Sequence, residues 1–344
     1  VAIATLGIFS SNVRDIGLVA GAQEPTLISA NVPGILLRIL LLTTAANPAP
    51  VIPWGVLLPY FTGLVILVVG LYTVRKEFVT RRGLEKIVAL GPVFLAVPIA
   101  VFGTEHFTAT RILAGMVPGW IPGHLFWALF VGACLISAAL SIAVRKYAGI
   151  AAALLGLMIL LFVLLIHIPG IANTPASQLL WVVALRDLAF SGGALSVAAT
   201  QKDLWKPQVR QKFILVARLF IGVPITFLGV VQFLHPELAP GVPLVKLTPL
   251  WIPGHALWGY ATGAVFVVAG LCLIIDKKAH LAASWLGAVI LLLVLVVYLP
   301  IDIANPSDIG NGLNYLMDTL LLSGTVLALA QALHGDFPLA HRAQ

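Results

Sequence analysis

Two His and Trp pairs recur in this chain at one spacing. Trp127 follows His124 by three residues and Trp258 follows His255 by three, each pair heading a long apolar run that opens with Trp-Ile-Pro-Gly-His. Three positions apart is one helical turn, so each pair shares a helix face. Near the first pair the chain also supplies Glu105, His106, His167, Arg186 and Asp187; near the second it supplies Asp318. Imidazole donates and accepts, carboxylates accept, guanidinium donates, and an indole offers a flat apolar face. That set can hold a flat molecule by polar groups at its edge.

Most of these groups interrupt apolar sequence, where they are costly. An Arg or Asp at the centre of a bilayer-spanning helix costs about 2.5–3.5 kcal/mol on insertion scales, so each demands a partner or a role. Arg186 and Asp187 are neighbours whose Cβ atoms point about 100° apart, which predicts that they do not simply neutralise each other. Arg186 is expected to meet Glu105 or His167, and Asp187 to meet His106 or His124. The competing reading is that these polar tips cap helix ends at a membrane surface and do nothing else. A metal set drawn from His106, His124 and His167 with Glu105 or Asp187 has suitable ligand types but no diagnostic spacing, so no metal site is assigned. No helix pair clearly offers facing histidines for a haem.

The elements that must carry these residues follow from composition. The 344 residues are 60% hydrophobic and 10% charged, with a mean hydropathy of +1.05. A soluble domain cannot hide so much apolar surface. Runs of about 20 apolar residues match the thickness of a bilayer core. Spans are expected at 53–73, 86–104, 121–144, 148–169, 179–200, 213–234, 251–275, 279–300 and 313–334, an all-α polytopic membrane protein of nine helices. Residues 1–50 form an N-terminal extension whose segment 33–46 is apolar but short, carries Arg38 and runs into prolines, which suits an interfacial or re-entrant piece. Residues 335–344 are a C-terminal tail.

Alternate loops are basic. Arg75, Lys76, Arg81, Arg82 and Lys86 follow the first span, Arg145 and Lys146 the third, Lys202, Lys206, Arg210 and Lys212 the fifth, and Lys277 and Lys278 the seventh. Lys and Arg concentrate in cytoplasmic loops, so these are expected inside a bacterial plasma membrane and the Trp-Ile-Pro-Gly-His corners outside. The net charge of +7 is thereby a topology signal. Scattered over short loops, it forms no face for nucleic acid. Cys134 and Cys272 stand alone with no Cys-x-x-Cys, which removes thiol relay chemistry.

The corner sequence is part of a longer repeat. "PGWIPGHLFWALFVGA" from Pro118 recurs as "PLWIPGHALWGYATGA" from Pro249, 131 positions later. At the same offset "HIP" at His167 matches "YLP" at Tyr298; upstream, "VPIAVFGTEHF" at Val97 matches "VPITFLGVVQF" at Val223. "SGGALSVA" at Ser191 is similar to "SGTVLALA" at Ser323. Residues 86–200 and 213–334 read as two four-helix units inserted the same way, side by side, after one extra helix and basic loop at 51–85. Gly and Ala in the third and seventh spans are expected to let the halves approach.

A four-helix unit with this Trp-Pro-Gly corner, a His-Ile-Pro end to its third helix and an Asp and Gly-Gly in its fourth resembles the DoxX-like membrane proteins. It does so here as a tandem pair. The resemblance implies association with membrane redox systems, the family being named for a small subunit of a quinone-reducing oxidoreductase. A quinone would suit the polar set, with His124, His106 and Asp187 at its carbonyls and Trp127 against its ring. In the second unit Val231, Gln232 and Tyr298 replace Glu105, His106 and His167, which predicts ligand binding in the first. The expected function is an accessory or quinone-interacting subunit of a membrane redox complex, working among lipids and other subunits. A transporter or lipid-handling protein, with its site within or between the units, is the alternative.

Overall fold

The computed structural model describes residues 53–241 and 244–334. The expected 33–46 segment and the C-terminal tail lie outside them. Among the described residues nine helices are long and apolar enough to cross a membrane: α1 Trp54–Thr80, α2 Leu84–Thr108, α3 His124–Ala143, α4 Ala148–Asn173, α5 Gln178–Thr200, α6 Pro207–Leu234, α7 His255–Ile274, α8 Ala279–Ala304 and α9 Ile309–His334. Their order matches the expected spans. Several overrun them by a turn or more, α1 and α6 most, α1 by carrying Arg75 and Lys76 and α6 by starting at Pro207. Charged residues are good helix formers in water, so a helix need not stop where hydrocarbon does. The Arg75 guanidinium accordingly lies over the Tyr72 ring, 3.8 Å from its centroid.

The basic connections gather at one end of the molecule. There Arg145 binds Glu77 of α1 through Nη1 and Nη2 at 2.6 and 3.0 Å. The two Trp-Ile-Pro-Gly-His corners belong to the opposite end, where α3 and α7 begin. At this corner end Tyr60 of α1 donates to Asp302 Oδ1 of α8 at 2.7 Å.

Packing separates central helices from peripheral ones. α2, α5 and α9 bury most of their apolar length, whereas α1, α3, α4, α7 and α8 leave most of theirs partly or fully exposed. Leu57, Phe61, Leu64, Val68 and Leu71 of α1 form one such exposed row, as a lipid-facing helix requires. α2 packs along α3 and α9, α6 along α7 and α5, and α5 also meets α9, while α2 barely touches α5. The first four-helix stretch is therefore not a closed bundle beside a second one. The first helix of each stretch lies on the last helix of the other.

The residues that permit this are not the expected ones. Gly132 of α3 and Gly263 of α7 pack on α2 and α6, within their own stretches. Close contact between the stretches falls to Gly91, Gly192, Gly193 and Gly324. A Cβ on Gly192 would sit 3.0 Å from Ile221 Cγ1 and Phe220 Cβ of α6, and one on Gly324 would strike the backbone of Phe94 and Leu95 in α2.

Several details recur 131 or 132 positions apart. π-helical turns occupy Val163–His167 in α4 and Val294–Tyr298 in α8. Each precedes a proline, Pro169 or Pro300, which has no N–H for the preceding turn; the ladder shifts to a wider register instead. Ser191 Oγ donates to Gly156 O at 2.8 Å, and Ser323 Oγ to Gly287 O at 2.9 Å.

Candidate functional site

The corners come first, since they set where α3 and α7 start. Gly123 and Gly254 sit in the left-handed region at φ +76° and +70°, just ahead of the first helical residues His124 and His255. Glycine holds that backbone without the steric cost a Cβ would add. Trp127 Nε1 donates to Pro122 O and Trp258 Nε1 to Pro253 O, both at 3.1 Å. The second Trp of each pair thus closes its own corner. His124 and His255 are partly exposed at the helix mouths.

Beyond the first corner lies a cavity of about 350 Å³ between α3, α4 and the 110–121 connection. Its walls include Trp127, Ala128, Met116, Met158 and Phe162, with His106 among them. His106 is buried, and its Nδ1 donates to Phe102 O at 2.7 Å. A carbonyl only accepts, so Nδ1 carries the proton; in a neutral ring Nε2 is then the free lone pair. Phe126 and Phe130 meet the Trp127 ring edge-on at 5.4 and 5.8 Å between centroids. Of the residues singled out in the sequence, His106 and Trp127 line this cavity, whereas His124, His167, Glu105 and Asp187 do not.

A separate cluster links α4, α5 and α9. The π-turn and Pro169 bring His167 against α5, where its Nε2 donates to Asp187 Oδ2 at 2.8 Å. Arg186 Nε donates to Asp187 Oδ1 at 3.0 Å, and Arg186 Nη1 donates to Asp318 Oδ2 at 2.9 Å. The adjacent pair Arg186 and Asp187 does neutralise itself, contrary to the sequence expectation. The 100° rule governs where side chains leave the helix; the long Arg stem curls back over that angle. Arg186 also meets Asp318, in place of the expected Glu105 or His167, and Asp187 meets His167, in place of His106 or His124.

Each of these four side chains is at most 3% exposed. Arg186 lies eight residues into α5 and Asp318 nine into α9, about 12–14 Å from the corner end at 1.5 Å per residue. One guanidinium and one imidazole thus face two carboxylates. The Arg186 guanidinium also lies 5.6 Å from the Phe190 ring. Nearby polar atoms lack protein partners: Asp318 Oδ1, both side-chain atoms of Asn314, and Glu105 Oε1 on α2, all buried.

Sequence reasoning passed over two participants. Asp302, buried at the end of α8, accepts from Tyr60, and its one signal is an acid within an apolar "LPIDIA" run. Lys246 donates to Asn311 O at 3.0 Å and lies 5.1 Å from the Tyr315 ring centroid. Burial holds its ammonium below the usual lysine pKa, and the charge of Asp308 opposes that shift.

In the second stretch a longer connection occupies the corner end. Ala239 N donates to Lys246 O at 2.6 Å and Thr248 N to Glu237 O at 2.9 Å. Tyr298, at the position that His167 holds in the first stretch, donates to Pro240 O of this connection at 3.0 Å.

The described fold and its apolar helices define an all-α polytopic membrane protein residing in a lipid bilayer. Comparison with known protein families, curated proteins and solved structures gives no match to this chain.

Proposed function

We propose that this protein is an accessory, quinone-interacting subunit of a membrane redox assembly, built as a tandem pair of DoxX-like four-helix units. Support for the duplication comes from the paired π-turns, the paired Trp-to-Pro hydrogen bonds and the Ser-to-Gly hydrogen bonds, at offsets of 131 or 132. In this reading the basic end faces the cytoplasm and the corners face outward.

The observation that carries the ligand reading is the cavity beside the first corner. It is apolar, borders the lipid-facing surface, and combines one indole wall with one buried imidazole. A quinone headgroup fits that chemistry, its ring against Trp127 and a carbonyl toward His106, with its tail left among lipid. Ring contact adds about 0.5–1.5 kcal/mol beyond burial. A hydrogen bond adds about 0.5–1.5 kcal/mol. Of the four expected ligand contacts this reading keeps His106 and Trp127 and drops His124 and Asp187.

The test is quenching of Trp fluorescence by short-tailed quinone analogues in the purified protein, for wild type, His106→Leu and Val131→Phe. Val131 lines the cavity, so the larger ring fills it. Saturable quenching that both substitutions weaken supports the reading. Quenching that neither substitution changes, or none at all, removes it.

A second reading has its own observation. The buried chain from His167 through Arg186 to Asp318 joins the two stretches, as a carrier with a site between its halves would require. Proton-coupled solute uptake into proteoliposomes, lost in Asp318→Asn, would favour transport over quinone binding.

A further inference from the structure

At the basic end, far along α2, α8 and α9 from the groups above, Glu85, His280 and His334 offer one ligand atom each, all within 4.8 Å of one another. Glu85 is in the first turn of α2, His280 is the second residue of α8, and His334 is the last of α9. These three helix ends pack together, so the cluster rests on helices and not on loops.

Its geometry resembles a coordination site more than a hydrogen-bonded pair. His280 Nε2 and Glu85 Oε1 are 3.3 Å apart, yet this buried nitrogen makes no hydrogen bond. Ligands about 2.0–2.1 Å from a tetrahedral zinc ion are separated by roughly 3.3–3.4 Å along the tetrahedron edge. The separation of His280 Nε2 and Glu85 Oε1 matches that edge length. The His280 and His334 rings face each other with centroids 5.2 Å apart and planes at 44°, an arrangement that direct imidazole hydrogen bonding does not explain. On its other oxygen, Glu85 Oε2 lies 3.7 Å from Arg81 Nη1, which orients the carboxylate and leaves Oε1 turned toward the histidines.

We infer that Glu85, His280 and His334 bind one divalent transition-metal ion of the zinc class at the basic end. Two imidazoles and one carboxylate are borderline ligands that suit Zn²⁺ and disfavour Mg²⁺ or Ca²⁺, which prefer oxygen shells. His334 is exposed, so the cluster is reachable from solvent. The ion would clamp α2 of the first stretch to α8 and α9 of the second, making bound metal a fastener between them.

The experiment uses the full chain carrying no histidine tag, purified in detergent and stripped with a chelator. Zn²⁺ is titrated against a chromophoric chelator, and Co²⁺ serves as a spectroscopic substitute. The expected result is one Zn²⁺ per chain, a tetrahedral-type Co²⁺ absorption that Zn²⁺ abolishes, and a rise in thermal midpoint on adding Zn²⁺. His280→Ala, His334→Ala and Glu85→Gln should each lower affinity at least ~100-fold, since even outer contacts of a metal site are worth 10–100-fold. Metal-free thermal midpoints of the variants, compared with metal-free wild type, separate lost ligation from lost folding. Wild type that takes up no more Zn²⁺ than the His280→Ala/His334→Ala double variant overturns the inference.

Discussion

Arg186 of α5 reaches Asp318 of α9 across 2.9 Å, a hydrogen-bonded ion pair between residues 132 positions apart, both at most 1% exposed. It sets opposite charges from the two stretches of the chain against each other. Breaking a buried pair by removing one partner typically costs about 3–5 kcal/mol, because the other charge is stranded.

The two acids should differ in consequence. Asp187 accepts from both Arg186 and His167, whereas Asp318 accepts from Arg186 alone. Asp187→Asn should therefore destabilise the detergent-solubilised protein more than Asp318→Asn, by about 1.5–3 kcal/mol for the additional charge-assisted hydrogen bond. Thermal or denaturant unfolding at matched expression measures it. Equal losses, or the reverse order, would contradict this account of the cluster.

Helix contact between the stretches predicts a sharp positional effect. Gly324→Ala drives a Cβ into the α2 backbone and should cost about 2–3 kcal/mol, in the upper range for overpacking. Gly170→Ala, whose Cβ would meet only Leu180 Cδ1 at 4.0 Å, should be neutral within about 0.5 kcal/mol. Unfolding curves for the two variants give the comparison, and similar midpoints would mean that α2 and α9 are not packed so closely.

The corners predict a matched pair of effects. Gly123→Ala and Gly254→Ala each place a Cβ on left-handed backbone and should each cost about 1–2 kcal/mol. If one substitution is silent, its corner has a different backbone from the other's.

Sidedness is open to direct labelling. Single cysteines in the 75–86 and 202–212 segments of an otherwise cysteine-free chain should react with impermeant reagents only from the cytoplasmic side of bacterial cells. Cysteines placed at Trp120 and Trp251 should react from outside. Labelling of the Trp251 corner from the cytoplasm would break the parallel arrangement of the two stretches.

The nine helices are legible in the sequence because bilayer thickness imposes a run length that hydropathy records directly. Their ends were less so, since α1 and α6 continue through Arg75 and Arg210 where no hydrocarbon is left to mark a boundary. The helix starts fall at His124 and His255 and not at the expected 121 and 251, because Gly123 and Gly254 in left-handed backbone keep each Pro outside the helix; that a helix opens near each Pro-Gly corner was readable. The bond from each Trp to the Pro carbonyl five residues back was not, because it depends on how the indole folds over the corner. The inner charges read as needing partners, yet seeking them within one four-helix unit points Arg186 to the wrong ones. Asp318 reaches it only because α9 lies against α5, and no local spacing encodes that. Glu85, His280 and His334 show the same limit: three unremarkable residues at helix ends, joined by packing alone.

The crossed packing of α2 on α9 and of α6 on α5 bears on the order of assembly in the membrane. When synthesis of α5 ends at Thr200, Asp187 and His167 are already present, but Asp318, the second acid for Arg186, is still to be made, 118 residues further along the chain. The α2 face that Gly324 will cover is likewise bare until then. The early helices must wait half-paired in the lipid, so late insertion of α9 is the event that locks the bundle.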